Sequence, residues 1–84
     1  MHLSPIQDLA IQALTANLVG AEEFDRLFLR VEFIEVEGDI LFVGAPSEEV
    51  ADEIEQYWED LAAIATRVLA QPVGLVMVLP RLRV

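Results

Sequence analysis

The 84-residue sequence has no cysteine, no lysine and a single histidine, His2. The absence of cysteine excludes disulfide bonds and thiolate metal sites. Nucleophilic catalysis needs a nucleophile, a base and an orienting group within reach of one another, and His2 lies at an end that we expect to fray. Ser4 and Ser47 are explained as helix caps. We therefore expect no catalytic, cofactor-binding or metal-binding residues and no enzymatic activity.

Long apolar runs and targeting signals are missing as well. No stretch of the sequence approaches the roughly 20 apolar residues of a membrane span. The first residues lack the basic start and the long apolar run of a signal peptide. We therefore expect a cytoplasmic protein that makes no membrane contact.

Positive charge is scarce. Five arginines stand against fifteen acidic residues, and the net charge at pH 7 is −10. Binding of nucleic acid through its phosphates needs clustered positive charge, so direct nucleic-acid binding is expected to be weak or absent. A protein partner with a basic face fits this charge better.

Many of the carboxylates fall in one stretch with helical spacing. A solvated helix face explains this series best, and a docking face for a basic protein is an alternative. A metal site is disfavoured because the stretch contains no glycine-bearing calcium loop. The series comprises Glu48, Glu49, Asp52, Glu53, Glu55, Glu59 and Asp60.

The tyrosine and the tryptophan of the chain are adjacent, at Tyr57 and Trp58. Neighbouring helical positions point about 100° apart, so one of them can be buried while the other lies at the helix boundary. A stacking platform for single-stranded nucleic acid is the less favoured interpretation, because the surrounding carboxylates would repel phosphates.

Capping residues and apolar spacing predict the first elements. Ser4 followed by Pro5 indicates a helix start, and the helix is expected to run to about Leu18 with one apolar face. A second, shorter helix is predicted over 21–29. The apolar face of the first helix comprises Ile6, Leu9, Ala10, Ala13, Leu14 and Leu18.

From residue 31 the apolar period changes to two, which is typical of strands. A turn at 37–39 predicts a β-hairpin, with a bulge or the true strand start near Phe33 and Ile34. Residues 40–43 are apolar on both faces, which suits a central strand. Ser47 predicts the start of one long helix over 48–69, which ends ahead of Pro72.

A last strand is predicted over 73–79. The order is α-α-β-β-α-β, which indicates a small α+β domain with a three-stranded sheet packed on helices. We expect residues 1–80 to form a single α+β interaction domain and residues 81–84 to be a tail or the start of a linker.

Taken together, these segments resemble the N-terminal domain (domain I) of the bacterial replication initiator DnaA, or a K-homology-like relative of it. The resemblance covers roughly residues 5–80. The matching positions are Glu23 and Phe24 opening the second helix, the turn at 36–39, the junction Ala45, Pro46 and Ser47, the pair Tyr57 and Trp58, and a last strand near 76–78.

The resemblance implies a K-homology-like fold without catalytic activity, which mediates self-association as a weak homodimer, recruitment of the replicative helicase and docking of initiation regulators. Glu23, followed by Phe24, matches an acidic position linked to helicase contact. Ser47, after Pro46, falls on a junction position used by regulators. Glu49 falls where the family often has an aromatic residue that engages helicase, and its carboxylate departs from that pattern.

Two further departures concern tryptophan. The family has one near the start of the first helix, where this chain has Ile6, Gln7 and Asp8, and one in the second helix, where this chain has Leu27 or Phe28. No Gly-x-x-Gly sequence occurs, so RNA binding of the K-homology type is disfavoured. Relatives in helicase loaders or polymerase clamp-loader subunits stay open. The alternative function is a small acidic inhibitor or structural subunit that binds a basic protein through its long acidic helix.

Overall fold

Helices cover one face of a three-stranded sheet in the computed structural model, which describes residues 1–81. One short helix, Ala21–Glu23, continues as a π-helical turn, Phe24–Phe28. The predicted α+β fold with a sheet packed on helices is confirmed. In chain order the elements are α1 Pro5–Val19, α2 Ala21–Glu23 with its continuation Phe24–Phe28, β1 Glu32–Glu37, β2 Ile40–Ala45, α3 Glu48–Glu55, α4 Trp58–Leu69 and β3 Leu75–Pro80.

The sheet has the order β1-β2-β3. Strands β1 and β2 are antiparallel and form the predicted hairpin, whose turn contains Gly38 at φ 62°. Strand β3 pairs with β2 in parallel, so α3 and α4 form the crossover between them. As predicted, β2 is the central strand. The phase change near Phe33 is a bulge, because the register shifts between Phe33 and Glu35.

The amino end was expected to fray, but its backbone is hydrogen-bonded to β1. The Leu3 amide donates to the Ile34 carbonyl at 3.0 Å, and the Val36 amide donates to the Met1 carbonyl at 2.9 Å. His2 forms an antiparallel bridge with Glu35. Residues 1–3 therefore cover the outer edge of β1, where unpaired backbone groups would otherwise invite association.

The prediction of one long helix over 48–69 is wrong in one respect, because the structure divides this stretch into α3 and α4. At the break, the amides of Gln56 and Tyr57 donate to carbonyls three residues earlier, at 3.2 and 2.9 Å. This tighter hydrogen bonding turns the chain. Helix α3 then packs on β2 and β3, while α4 packs on α1 and β3. Apolar spacing continues across the break, so the sequence pattern did not reveal it.

The core lies between the helices and the inner face of the sheet. The largest fully buried side chains are Ile11, Phe28, Leu41, Val43, Ile54 and Leu61, joined by Thr15. The Thr15 hydroxyl donates to the Ile11 carbonyl at 2.7 Å, which satisfies its buried polar group.

The buried face predicted for α1 is partly wrong. Ile6 and Leu9 are 79% and 63% exposed, and Leu18 is also exposed, whereas Ile11 and Thr15 are buried. The helix carries apolar residues on more than one side. Apolar spacing alone therefore did not distinguish the side that packs on the sheet.

Within residues 1–81, no helix is long and apolar enough to cross a membrane. The predicted tail at 81–84 lies, beyond Arg81, outside the described residues.

Candidate protein-interaction site

Glu23 lies at the centre of a polar cluster that joins α2 to α3 and to the break before α4. Its carboxylate accepts from Arg26 Nε at 2.7 Å and Nη2 at 3.1 Å. It also accepts from the Tyr57 hydroxyl at 2.7 Å. Arg26 Nη1 in turn donates to Glu53 at 3.1 and 3.3 Å. One arginine therefore links two carboxylates from different helices.

The charges of this cluster reinforce one another. The Arg26 guanidinium and, next, the Tyr57 hydroxyl hold the pKa of Glu23 below its ordinary value of 4.5. The hydrogen bond to Glu23, followed by partial burial, raises the pKa of Tyr57 above its ordinary value of 10.0. The two carboxylates raise the pKa of Arg26 further. At neutral pH Glu23 and Arg26 are charged and Tyr57 is neutral.

Phe24 supplies an apolar surface beside this cluster. It is half-buried and stacks on Phe28 with ring centroids 5.9 Å apart. Tyr57 also contacts Phe28 in an edge-to-face arrangement, with ring centroids 5.8 Å apart. Glu23 and Phe24 therefore form one small surface with a charged and an apolar part. A shallow groove next to it is lined by Val19, Gly20, Ala21, Glu22, Glu23 and Arg26.

Pro46, Ser47 and Glu49 lie at the junction between β2 and α3. The Ser47 side chain caps α3 by accepting from the Val50 amide at 3.2 Å, as predicted. Glu49 is exposed in the first turn of α3, and within residues 1–81 it forms no ion pair. Pro46 is half-buried and lines a second groove with Arg30, Glu32, Gly44, Ala45, Pro80 and Arg81.

The structure places the predicted residues in two patches and does not gather them in one groove. Glu23 and Phe24 belong to α2, whereas Pro46, Ser47 and Glu49 belong to the start of α3. Helix α3 connects the patches, because its Glu53 contacts Arg26. Glu53 lies six positions after Ser47, which corresponds to roughly 9 Å along the helix axis.

The sequence analysis missed the partners of Glu23. Its spacing of three from Arg26 was a usable signal, because residues three or four apart meet on a helix surface. The contact with Tyr57, 34 residues away, had no such signal. Of the aromatic pair, Tyr57 packs against Phe28, while Trp58 is 41% exposed.

The remaining carboxylates of the acidic stretch face solvent. Glu48, Glu49, Asp52, Glu55, Glu59 and Asp60 are exposed, and Glu53 is half-buried in its contact with Arg26. Within residues 1–81, no three side chains of histidine, cysteine, aspartate or glutamate lie close enough together to hold a metal ion. The break between α3 and α4 distributes these carboxylates over two helices.

Comparison with known protein families finds no matching family, and comparison with curated proteins finds no significant match.

Proposed function

We propose that this chain is a non-catalytic protein-interaction domain of chromosomal replication initiation, acting in the cytoplasm. Its roles would be self-association, recruitment of the replicative helicase and docking of regulators. The observation that carries the proposal is the surface formed by Glu23 and Phe24. The resemblance implies helicase contact at Glu23, and Glu23 and Phe24 are adjacent, half-buried residues of α2.

A partner that binds at Glu23 meets a carboxylate that is already hydrogen-bonded. Both oxygens accept from Arg26, and one also accepts from Tyr57. Fixed in this way, the carboxylate loses little side-chain entropy on binding. A basic group of the partner would approach from the exposed side and would compete with Arg26 for the same oxygens.

Self-association is assigned to the outer side of α1. Ile6 and Leu9 are among the most exposed apolar residues described, and Ala13 is exposed on the same side. The helix carries one charged residue, Asp8, in 15 positions, and Asp8 is half-buried. Two copies with a net charge of −10 can meet at this side without placing carboxylates opposite each other, which would oppose association.

Sedimentation velocity tests the self-association. We expect a concentration-dependent dimer that Ile6→Ser and Leu9→Ser together abolish. Leu29→Ser is the matched control, because Leu29 is 67% exposed but lies outside α1. A chain that stays monomeric at the highest soluble concentration, or a control that disrupts the dimer equally, contradicts the assignment.

Calorimetric titration with the replicative helicase tests recruitment. We expect Glu23→Gln to weaken binding several-fold, while Glu22→Gln, an exposed neighbour on the same turn, leaves it unchanged. Absence of binding by the unaltered chain at tens of micromolar counts against the role in replication.

The alternative is a small acidic inhibitor or structural subunit that binds a basic protein. The exposed carboxylates of α3 and α4 favour it, but they no longer form one continuous helix face. Association of this kind should weaken steeply as salt is added, since exposed charges are screened over about 10 Å at 0.1 M salt. Salt-insensitive binding would remove this alternative.

A further inference from the structure

The face of the sheet that points away from the helices is apolar along two strands. On β3, Leu75, Met77 and Leu79 are 53%, 46% and 42% exposed, whereas Val78 between them is buried. Successive residues of a strand point to opposite faces. The three exposed side chains therefore share the outer face. Although every residue of 75–79 is apolar, β3 is buried on one side alone.

The register extends this apolar surface onto β2. Leu75 pairs with Ile40 and Met77 pairs with Phe42, and both β2 residues are half-buried. We call the surface of Ile40, Phe42, Leu75, Met77 and Leu79 the outer strip. Contiguous exposed apolar surface of this kind marks interaction sites, whereas isolated exposed side chains do not.

Carboxylates follow the long side of the outer strip on β1. Glu35 pairs with Phe42 and Glu37 pairs with Ile40, so both acidic residues share the outer face with the strip. At one end, Asp39 lies over Gly74, where a Cβ atom would come within 2.9 Å of its carboxylate.

The other end of the outer strip carries an arginine that is already paired. Arg81 Nη1 contacts Glu32 at 2.8 Å, and the Arg81 side chain lies over Gly44, which pairs with Leu79. The ion pair neutralises this cation, so the border of the outer strip is acidic along β1 and neutral at the Arg81 end. A partner that combines apolar contacts with positive charge fits this border.

We infer that the outer strip binds a basic amphipathic helix of a partner protein. Each strand of six residues is roughly 20 Å long, which matches a helix of about 14 residues. Apolar residues at helical spacing would cover Phe42 and Met77, and arginine or lysine on one side would reach Glu35 and Glu37. This goes beyond the proposed function, because it requires neither helicase binding nor the α1 surface.

Charge disfavours a second copy as the occupant. Two outer strips facing each other would bring together acidic borders from chains with a net charge of −10, and like charges across an interface oppose association. Phosphate-bearing partners are disfavoured for the same reason. A strand added at the free edge of β3 is the remaining geometry, and it would meet Pro80, which has no amide to donate.

The test uses the full 84-residue chain and a fluorescent peptide of about 14 residues with leucines on one helical face and lysines beside them. One control peptide has the same composition in scrambled order. The other has glutamates in place of the lysines. We expect the amphipathic basic peptide to bind and both controls to fail in fluorescence anisotropy. Equal binding of the scrambled peptide overturns the inference.

Variants of the chain locate the site. Met77→Ser is expected to weaken peptide binding about tenfold, the loss typical of a central apolar contact. Glu35→Gln with Glu37→Gln should weaken binding and reduce its salt dependence. Leu29→Ser, a change at an exposed apolar residue outside both the sheet and α1, is the control. A control that weakens binding as much as Met77→Ser contradicts the inference.

Two other outcomes would also overturn it. Circular dichroism must show helix formed by the bound peptide, and an extended peptide would indicate strand addition at β3. In sedimentation, self-association of the chain must be unaffected by Met77→Ser. A dimer that dissociates on this substitution would assign the outer strip to a second copy. The dimer proposed at α1 responds to Ile6 and Leu9, so the two proposals can fail separately.

Discussion

The Tyr57 hydroxyl donates a 2.7 Å hydrogen bond to the Glu23 carboxylate across 34 positions of the sequence. It ties the break between α3 and α4 to the start of α2. The same tyrosine packs edge-on against Phe28, a fully buried core residue. The break in the acidic stretch is therefore part of the core packing, and it also orients the carboxylate that we assign to partner binding.

Tyr57→Phe should lower the unfolding midpoint by a few degrees, because the ring packing is kept while the hydrogen bond to a charged group is lost. Tyr57→Ala should lower the free energy of unfolding by about 2 kcal/mol, since the aromatic contact is lost too. Thermal unfolding followed by circular dichroism measures both. Trp58→Phe is the control at the neighbouring exposed position and should change little. A Tyr57→Phe variant as stable as the unaltered chain contradicts the role of this bond.

The effect of Tyr57→Phe should depend on pH at both extremes. The pKa of Glu23 is lowered by folding, so its contribution is present above pH 4.5 and is lost as the pH falls through the folded value. The pKa of Tyr57 is raised, so its contribution is present below pH 10.0 and is lost as the pH rises through the folded value.

The stability difference between the unaltered chain and Tyr57→Phe should therefore be largest between these limits and should shrink outside them. Urea unfolding at a series of pH values measures the difference. With Glu23→Gln as the background, the acid dependence of the difference should disappear. A difference that stays constant as the pH is lowered until the chain unfolds would show that the bond does not depend on the charged carboxylate.

Ala70→Gly should stabilise the protein. Ala70 ends α4 at φ 54° and ψ 36°, a left-handed conformation that costs an L-residue about 1–2 kcal/mol and suits glycine. After the greater entropy of glycine in the unfolded chain is subtracted, we expect a net gain of about 0.5–1 kcal/mol. Ala63→Gly, at an exposed position inside α4, should instead cost about 1 kcal/mol. Urea unfolding compares the two variants, and equal losses would refute the left-handed geometry at Ala70.

Ser47→Ala should cost about 1 kcal/mol of unfolding free energy, because the Val50 amide loses its acceptor. Ser47→Asp should keep the cap and the stability, since aspartate is an equally good capping residue. The pair separates the two roles of Ser47 in the proposal, stability and regulator docking. Regulator binding measured on Ser47→Asp then reports the docking role without a loss of fold, and equal destabilisation by both variants would refute the capping role.

Local signals predicted much of the fold. The Ser4 side chain caps α1 by accepting from the Gln7 amide, and the Ser47 side chain caps α3 by accepting from the Val50 amide. The sequence indicated both caps because a cap depends on residues within one turn. The two-sided apolar strand over 40–43 became the central strand β2. The phase change near Phe33 marked a bulge. Each of these features is encoded within a few neighbouring residues.

The candidate site was predicted less completely. All five predicted residues are at least partly exposed, as an interaction site requires, but they form two patches. Glu49 is exposed, whereas Glu23, Phe24, Pro46 and Ser47 are half-buried. The partners that orient Glu23 come from α3 and from Tyr57, whose distances along the chain carry no local pattern.

The sequence by itself determined the chemical character of this protein: a strongly acidic chain without cysteine, with well-capped helices and a sheet of three strands. Only the tertiary structure decided which apolar surfaces are buried. Ile6 and Leu9 on α1 and the outer strip on β2 and β3 are as apolar as the core. The outer strip stays exposed because the described helices cover the other face of the sheet, and Ile6 and Leu9 stay exposed because α1 packs through Ile11 and Thr15. Both outcomes depend on packing between distant parts of the chain.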